Sequence, residues 1–424
     1  MKNKYMENER LSLVLFFTVA VVYAVIYMTK NCYSAAMVHL VNENVLTKSQ
    51  TGTINSVFYL VYAPFQIIGG LAADKYSPYK LIAIGILGAA ISNLLILFVQ
   101  NYYLILIIWA FNGAIQFGVW PGVFKIVSQS LAPTHRHNAV FYISFSSTIG
   151  LIMSYLLAGV VSGWKGNFIV SATSLFASFA IWLIVGKYLD RKMVDEDPVH
   201  HGTPHLPEIK KYDNKPTESF VPTLFKSGLI ILLPVVVLKS VFALGAQSIT
   251  PTMIFESYDN ISPAVASVLT IIPVLAGLAG KFIMQAVYSR KIYNECMTMA
   301  VVMGAMIPFI ALIMLVGKIN VWFIVVMMSI VVLMATGVSL VNTPYISMRF
   351  VKIGRNGTVS GIVNAMAALG IVVANFVSPR IADSYGWTAV IVAWIGFAVA
   401  SVVLSLIAYI PWRKFIKNPE YQGE

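Results

Sequence analysis

Residues 69–80 read Gly69-Gly70-Leu71-Ala72-Ala73-Asp74-Lys75-Tyr76-Ser77-Pro78-Tyr79-Lys80, a charged, proline-marked turn between two long apolar blocks. The preceding block covers 49–73 and the following one 79–100. Each exceeds the ~20 mainly apolar residues that an α-helix needs to cross a ~30 Å hydrocarbon core. The turn is too short to hold a soluble domain, so the two blocks form a hairpin of membrane spans. The same alternation fills the chain, predicting spans at 11–38, 49–73, 79–100, 103–128, 138–162, 167–188, 225–255, 262–288, 295–317, 320–348, 356–380 and 387–410. A composition of 58% hydrophobic and 11% charged residues excludes a water-soluble fold of this length.

The formal charge of +12 raises the question of a polyanionic partner. Its distribution answers against nucleic acid. With twelve spans, Lys2, Lys4, Arg10, Lys75, Lys80, the stretch from Lys125 to Arg136, Arg290, Lys291, Arg349, Lys352, Arg355, Arg413, Lys414 and Lys417 all fall on one side of the membrane. The opposite loops carry Lys48, Lys165, Lys318 and Arg380. Because positive loops stay in the cytoplasm, both termini are predicted to be cytoplasmic. The first apolar block is too long for a cleavable signal and lacks a small-residue cleavage site. Cys32 lies within a span and Cys296 at the start of another, so no disulfide framework is implied.

One sizeable polar segment, 189–224, divides the chain. The expected organisation is all-α and membrane-integral: an N-terminal six-helix bundle over 1–188, a cytoplasmic linker over 189–224, and a C-terminal six-helix bundle over 225–424 with a short cytoplasmic tail. The linker holds His200, His201 and His205; an exposed histidine loop is ordinarily inert, and no metal site is assigned to it. The halves echo one another. Arg136-His137-Asn138 opens span five and Arg355-Asn356-Gly357 opens span eleven; Gly150 and Gly370 sit at matching depths; Gly163-Trp164 and Gly386-Trp387 precede spans six and twelve. Two pseudo-symmetric bundles that rock about a site near the bilayer midplane are the architecture such repeats build.

The Gly69–Lys80 stretch resembles the cytoplasmic signature of the major facilitator superfamily. Its glycines permit close helix contact. Asp74 and Lys75 are then expected to close the cytoplasmic side, with Arg136 and Arg355 as basic partners; a plain polar turn with topogenic lysines is the alternative. Within that superfamily the chain is similar to the organophosphate:phosphate antiporter family. The similarity is thin but extends over most of the length. It rests on Lys30-Asn31, the Tyr62 to Pro78 stretch, Gln116-Phe117-Gly118-Val119-Trp120-Pro121 with Lys125, Thr250-Pro251-Thr252, and Gly357-Thr358 through Gly361 to Gly386-Trp387. The resemblance implies the fold and a rocking mechanism. It also implies phosphate-gripping arginines, and here the chain departs: Thr29 and Ala243 stand at the arginine positions of spans one and seven, Gln66 at the lysine of span two and Ser147 at the histidine of span five. Lysine does not reproduce the planar bidentate fork of arginine.

Three lysines remain at membrane depth: Lys30, Lys239 and Lys281. An intramembrane charge costs roughly 2.5–3.5 kcal/mol on insertion scales and is ordinarily justified by a cavity, a partner or a substrate. Lys239 stands near the middle of span seven, one turn from Ala243, and is the first candidate anion anchor. Lys30 is the second, with packing against carbonyls as its structural alternative. Lys281 lies nearer the cytoplasmic end, where snorkelling accounts for it. Polar and aromatic stripes at helical spacing are candidate cavity walls: Tyr23, Tyr27 and Ser34; Asn55, Tyr59, Tyr62 and Gln66; Trp109, Asn112, Gln116 and Trp120; Gln247; Ser360, Asn364 and Asn375. Interhelical hydrogen bonding is the other use of such stripes.

No Asp or Glu lies deep in any span. Proton and sodium symporters commonly relay ions through such a carboxylate, so exchange or facilitated movement of an anion is expected. There is no nucleotide-binding glycine loop, metal cluster or nucleophile–base pair, hence no enzyme and no cofactor. The expected function is a secondary transporter of a small organic anion, working as a monomer in the bacterial inner (plasma) membrane by alternating access. An exporter of amphipathic or neutral compounds and a transporter-like solute sensor are the competing functions.

Overall fold

The computed structural model describes residues 4–161, 163–195, 220–291, 294–341, 345–350 and 356–417. The linker histidines and Arg355 lie outside the described residues, as do the side chains of Asp74, Lys75 and Arg136. The protein is an all-helical integral membrane protein, with one two-stranded ribbon pairing Lys4–Tyr5 to Val194–Asp195. Nine helical stretches among the described residues are long and apolar enough to cross a membrane. The stretch Gly361–Lys417 contains two spans, because Gly386 (φ 78°, ψ 173°) breaks the helix. Spans two and five are the 28-residue helices Lys48–Lys75 and Pro133–Val160. Gln50, Thr51, Asn55 and Gln66 dilute the hydropathy of the first, and Ser146, Ser147 and Thr148 that of the second. Phe17, Val21, Ile107, Ile184 and Ile407 stand outward on their helices, as lipid-facing side chains do.

Local sequence sets the helix ends. Asn8 caps span one (Glu9–Asn42) by accepting the N–H groups of Arg10 and Leu11. Thr47 and Gln50 form a reciprocal capping box on span two. Pro78 and Pro133 occupy first-turn positions, where no N–H is needed. Span six, Gly163–Asp190, runs into the region expected as linker, and a short helix, Phe220–Lys226, precedes span seven.

The chain divides into two compact units, 1–207 and 208–424. Within the first, an added Cβ on Gly150 of span five would collide with the Ala24 carbonyl of span one, and one on Gly69 of span two with the Phe117 carbonyl of span four (Tyr102–Lys125). The second unit repeats both contacts. Gly370 of span eleven meets the Val237 carbonyl of span seven (Leu229–Ser257), and Gly280 of span eight (Pro263–Val287) meets the Leu333 carbonyl of span ten (Val321–Leu340). Glycine is required at these crossings because any side chain would separate the backbones.

Tryptophans repeat the pattern at the helix ends. Trp182 of span six donates to the Tyr79 carbonyl at 3.0 Å, and Trp412 of span twelve donates to the Glu295 carboxylate at 2.8 Å; the two acceptors open spans three and nine. At the other end, the backbone N–H of Trp164 donates to the Glu43 carboxylate at 3.1 Å and the Trp387 indole to Glu256 at 2.9 Å. Gly163 and Gly386, both at positive φ, precede those two tryptophans. Glu295 is fully buried and also accepts from Arg349 Nε at 2.8 Å. A buried carboxylate needs that charge partner and the indole N–H together.

Candidate functional site

In the first unit, Tyr23, Tyr27 and Lys30 fall on one face of span one because they recur at four- and three-residue steps. Span two answers with Phe58, Tyr59 and Tyr62. The Lys30 ammonium stands 3.7 Å from the Tyr62 ring centroid, 5.3 Å from Tyr59, 5.4 Å from Tyr27 and 5.7 Å from Phe58. Lys30 is only 7% exposed, so these contacts are made away from water. A desolvated cation over an aromatic face gains about 2 kcal/mol. Aromatic faces, rather than the carbonyls considered from sequence, pack this lysine. Trp120 joins through Tyr23, whose ring lies 5.5 Å from Trp120 and 5.7 Å from Tyr27.

Two predicted polar residues bond within the bundle, one along its own helix and one across to a neighbour. Gln116 donates to Asn112 Oδ1 at 2.9 Å along its own helix, and Gln66 donates to the Phe117 carbonyl at 3.3 Å, beside the Gly69 crossing. The carbonyl is available because Gln116–Gly118 is a 3₁₀ turn within span four. Lys125 reaches the Ala73 carbonyl at 2.6 Å and fastens span four to the Gly69–Lys80 stretch.

In the second unit, Lys239 is 3% exposed and donates to Ser339 Oγ of span ten at 2.8 Å. The helix changes to a π-turn, Val241–Gly245, directly after it. Such turns carry one extra residue and rotate the helix beyond them, which places Ala243 and Gln247 in a different register from an ideal helix. Gln247 donates back to the Ala243 carbonyl. Ser248 donates to Asn375 Oδ1 at 2.6 Å and joins spans seven and eleven. Asn364 lies on an exposed face of span eleven. Lys281 of span eight is partly buried.

Lys30, Tyr27, Tyr59 and Tyr62 are thus brought together, with Trp120 at their edge, and Lys239 forms a separate centre in the other unit. Sequence reading missed Phe58 and Ser339. Phe58 carried a signal, four residues before Tyr62 on the same face; Ser339 carried a weaker one, three residues after Thr336 in span ten.

Comparison with known proteins places the whole arrangement. The family model described as Major Facilitator Superfamily matches residues 19–374. A probable hexose phosphate transport protein of Chlamydia trachomatis is 25% identical over 203 residues, 47% of this chain and 43% of that protein. The hexuronate transporter of Bacillus subtilis is 24% identical over 297 residues, 67% of this chain and 66% of the relative. The chain spans less than half the length of the hexose phosphate relatives it matches. A solved bacterial homologue of the human lysosomal transporter Spinster, inward-facing and unoccupied, superposes with a TM-score of 0.77 at 14% identity, covering 97% of this chain and 100% of that one. That likeness is one of fold. On the family match and the helical architecture together, the chain belongs to the Major Facilitator Superfamily.

Proposed function

We propose that the protein is a secondary transporter that moves a small organic anion across the membrane by alternating access, by exchange or by facilitated movement. One observation carries this: each unit buries a lysine in a membrane span, Lys30 at 7% and Lys239 at 3% exposure, while the spans hold no deep carboxylate to neutralise them. A desolvated ammonium of this kind is completed by an anionic ligand. Relatives named for hexose phosphate and hexuronate, both organic anions, support the same class. Lys30 with Tyr27, Tyr59, Tyr62, Gln66, Gln116 and Trp120 serves the first unit, and Lys239 with Gln247 and Asn364 the second. Asp74 and Lys75, with Arg136 and Arg355, act in closing the cytoplasmic side. The monomer works in the bacterial inner membrane with both termini and the 189–224 linker in the cytoplasm, and without cofactor or catalysis.

The test is flux by purified protein in proteoliposomes, with radiolabelled carboxylates, phosphate esters and sulfonates beside neutral sugars and amphipathic amines. Saturable anion flux that disappears in Lys239→Met is the expected result. Flux of the neutral or amphipathic compounds alone would overturn it in favour of an exporter of those compounds. Asp74→Asn is expected to slow exchange turnover while leaving equilibrium binding intact, and wild-type turnover in that variant would remove the turn from the mechanism.

A further inference from the structure

Span twelve, which follows the break at Gly386, ends with two unlike faces. Ala408, Trp412 and Phe415 are buried in the core of the C-terminal unit. Val403, Leu406, Ile407 and Ile410 stand exposed, at three- and four-residue steps that align them in one outward stripe about 10 Å long. Continuing those steps, the helix presents Arg413, Lys414 and Lys417, all exposed. Where the apolar stripe meets the cations there is a cavity of about 290 Å³ lined by Tyr409, Ile410, Arg413, Lys414 and Lys417. The Arg413 guanidinium carbon lies 5.8 Å from the centroid of the Tyr409 ring.

Cations in a last helical turn are favoured by the helix dipole and by membrane topology, and those effects account for the sign of the charge. They do not account for a concave site that gathers three cations with an aromatic ring and an isoleucine. Among the described residues no carboxylate pairs with Arg413, Lys414 or Lys417. A ligand that fits brings negative charge to the helix end and apolar surface to the stripe beside it. An inorganic anion brings only the first. A glycerophospholipid with net negative charge brings both, because its phosphate accepts charge-assisted hydrogen bonds from the cations while its acyl chain lies along the stripe. On the proposed topology this end of the helix stands at the inner leaflet.

We propose that Tyr409, Arg413, Lys414 and Lys417 bind the phosphate head group of an anionic phospholipid, with Val403, Leu406, Ile407 and Ile410 as the bed for its acyl chain. The same turn of helix says what occupancy does. Trp412, on its buried face, donates to Glu295 of span nine at 2.8 Å, and Glu295 accepts from Arg349 at the end of span ten. Lipid held on the outer face steadies the turn that ties three spans together, so occupancy stabilises the C-terminal unit. The site does not depend on which solute is transported, and its test is independent of flux.

Lipid binding to the purified full-length protein tests it, with short-chain phosphatidylglycerol or phosphatidylcholine titrated in detergent and read by native mass spectrometry and melting temperature. Wild-type protein is expected to bind phosphatidylglycerol at least about tenfold more tightly than phosphatidylcholine and to melt higher with it, since each Lys or Arg beside an anionic surface contributes roughly fivefold. Arg413→Gln/Lys414→Gln/Lys417→Gln should lose that preference and the added stability. The preference is a ratio within one protein, so it reads the site even where a variant's own stability shifts. The charge-matched control, Lys187→Gln/Arg191→Gln/Lys192→Gln at three exposed positions at the end of span six, should keep both. Ile407→Ser/Ile410→Ser should weaken phosphatidylglycerol binding, and millimolar inorganic phosphate should fail to displace the lipid. A preference that survives in the span-twelve variant, or falls equally in the span-six control, overturns the site as general charge attraction. Displacement by inorganic phosphate, with lipid binding unchanged in Ile407→Ser/Ile410→Ser, overturns the lipid in favour of a free anion.

Discussion

Lys30 and Lys239 are buried to similar degrees but stabilised by different chemistry. Lys239 has a hydroxyl oxygen as acceptor, whereas Lys30 has the faces of Tyr62, Tyr59, Tyr27 and Phe58. A cage of rings holds a cation in place yet leaves its three N–H donors available to a ligand. Tyr62 provides the nearest face, so the ring matters to Lys30 more than the hydroxyl. Tyr62→Phe is therefore expected to change stability by less than about 1 kcal/mol, while Tyr62→Ala loses about 3 kcal/mol or more through the missing ring and its cation contact. Lys30→Met removes a desolvated charge from a packed site, and its expected signature is an unchanged or raised melting temperature with weakened anion binding. Thermal unfolding in detergent and ligand titration of the same samples check both. A Lys30→Met protein that melts lower and binds anions normally would make Lys30 purely structural.

At the scale of the helix pair, the contacts that define each unit are glycine crossings, and their consequences can be separated from general helix propensity. Gly150 and Gly361 both lie in helices. A Cβ on Gly150 would meet the Ala24 carbonyl, the Met28 nitrogen and the Tyr27 side chain, whereas a Cβ on Gly361 would meet nothing within 4 Å. Gly150→Ala must force spans one and five apart, at a cost of about 1–3 kcal/mol. Gly361→Ala gains about 0.4–1 kcal/mol by restricting the unfolded chain. The expected melting temperatures move in opposite directions, and a destabilised Gly361→Ala protein would show that span eleven packs against something at this position. Gly150→Ala should also disturb anion binding, because the Tyr27 side chain of the Lys30 cage is among the groups displaced.

For the molecule as a whole, the twelve crossings read from the sequence are the ground for proposing one side for both termini and the linker. The arginine and lysine distribution supports the proposal that this side is the cytoplasm. Both native cysteines, Cys32 and Cys296, are buried and free, so an introduced cysteine reports cleanly. His205→Cys in intact cells is expected to resist a membrane-impermeant maleimide added outside and to react after permeabilisation. Strong labelling before permeabilisation would invert the topology and with it the assignment of Asp74 to the cytoplasmic side.

How much of the protein is legible in its sequence depends on how each property arises. Partition into a bilayer is summed over a local window of residues, so the apolar blocks, their polar turns and the break at Gly386-Trp387 were legible there. The repeat was legible at Gly150 and Gly370 because a close crossing tolerates one residue type alone. Spans two and five were the hardest spans to assign by hydropathy, since their polar residues face other helices. Lys30 and Lys239 could be recognised as unusual from cost alone. Their surroundings could not, because the partner of a side chain depends on which helix crosses at its height. Phe58 beneath the Lys30 ammonium, Ser339 beside Lys239 and the burial of Glu295 against Arg349 and Trp412 all join residues on separate helices. Those pairings were decided by packing, through glycine crossings that bring particular turns into register, and only the tertiary structure contains that information.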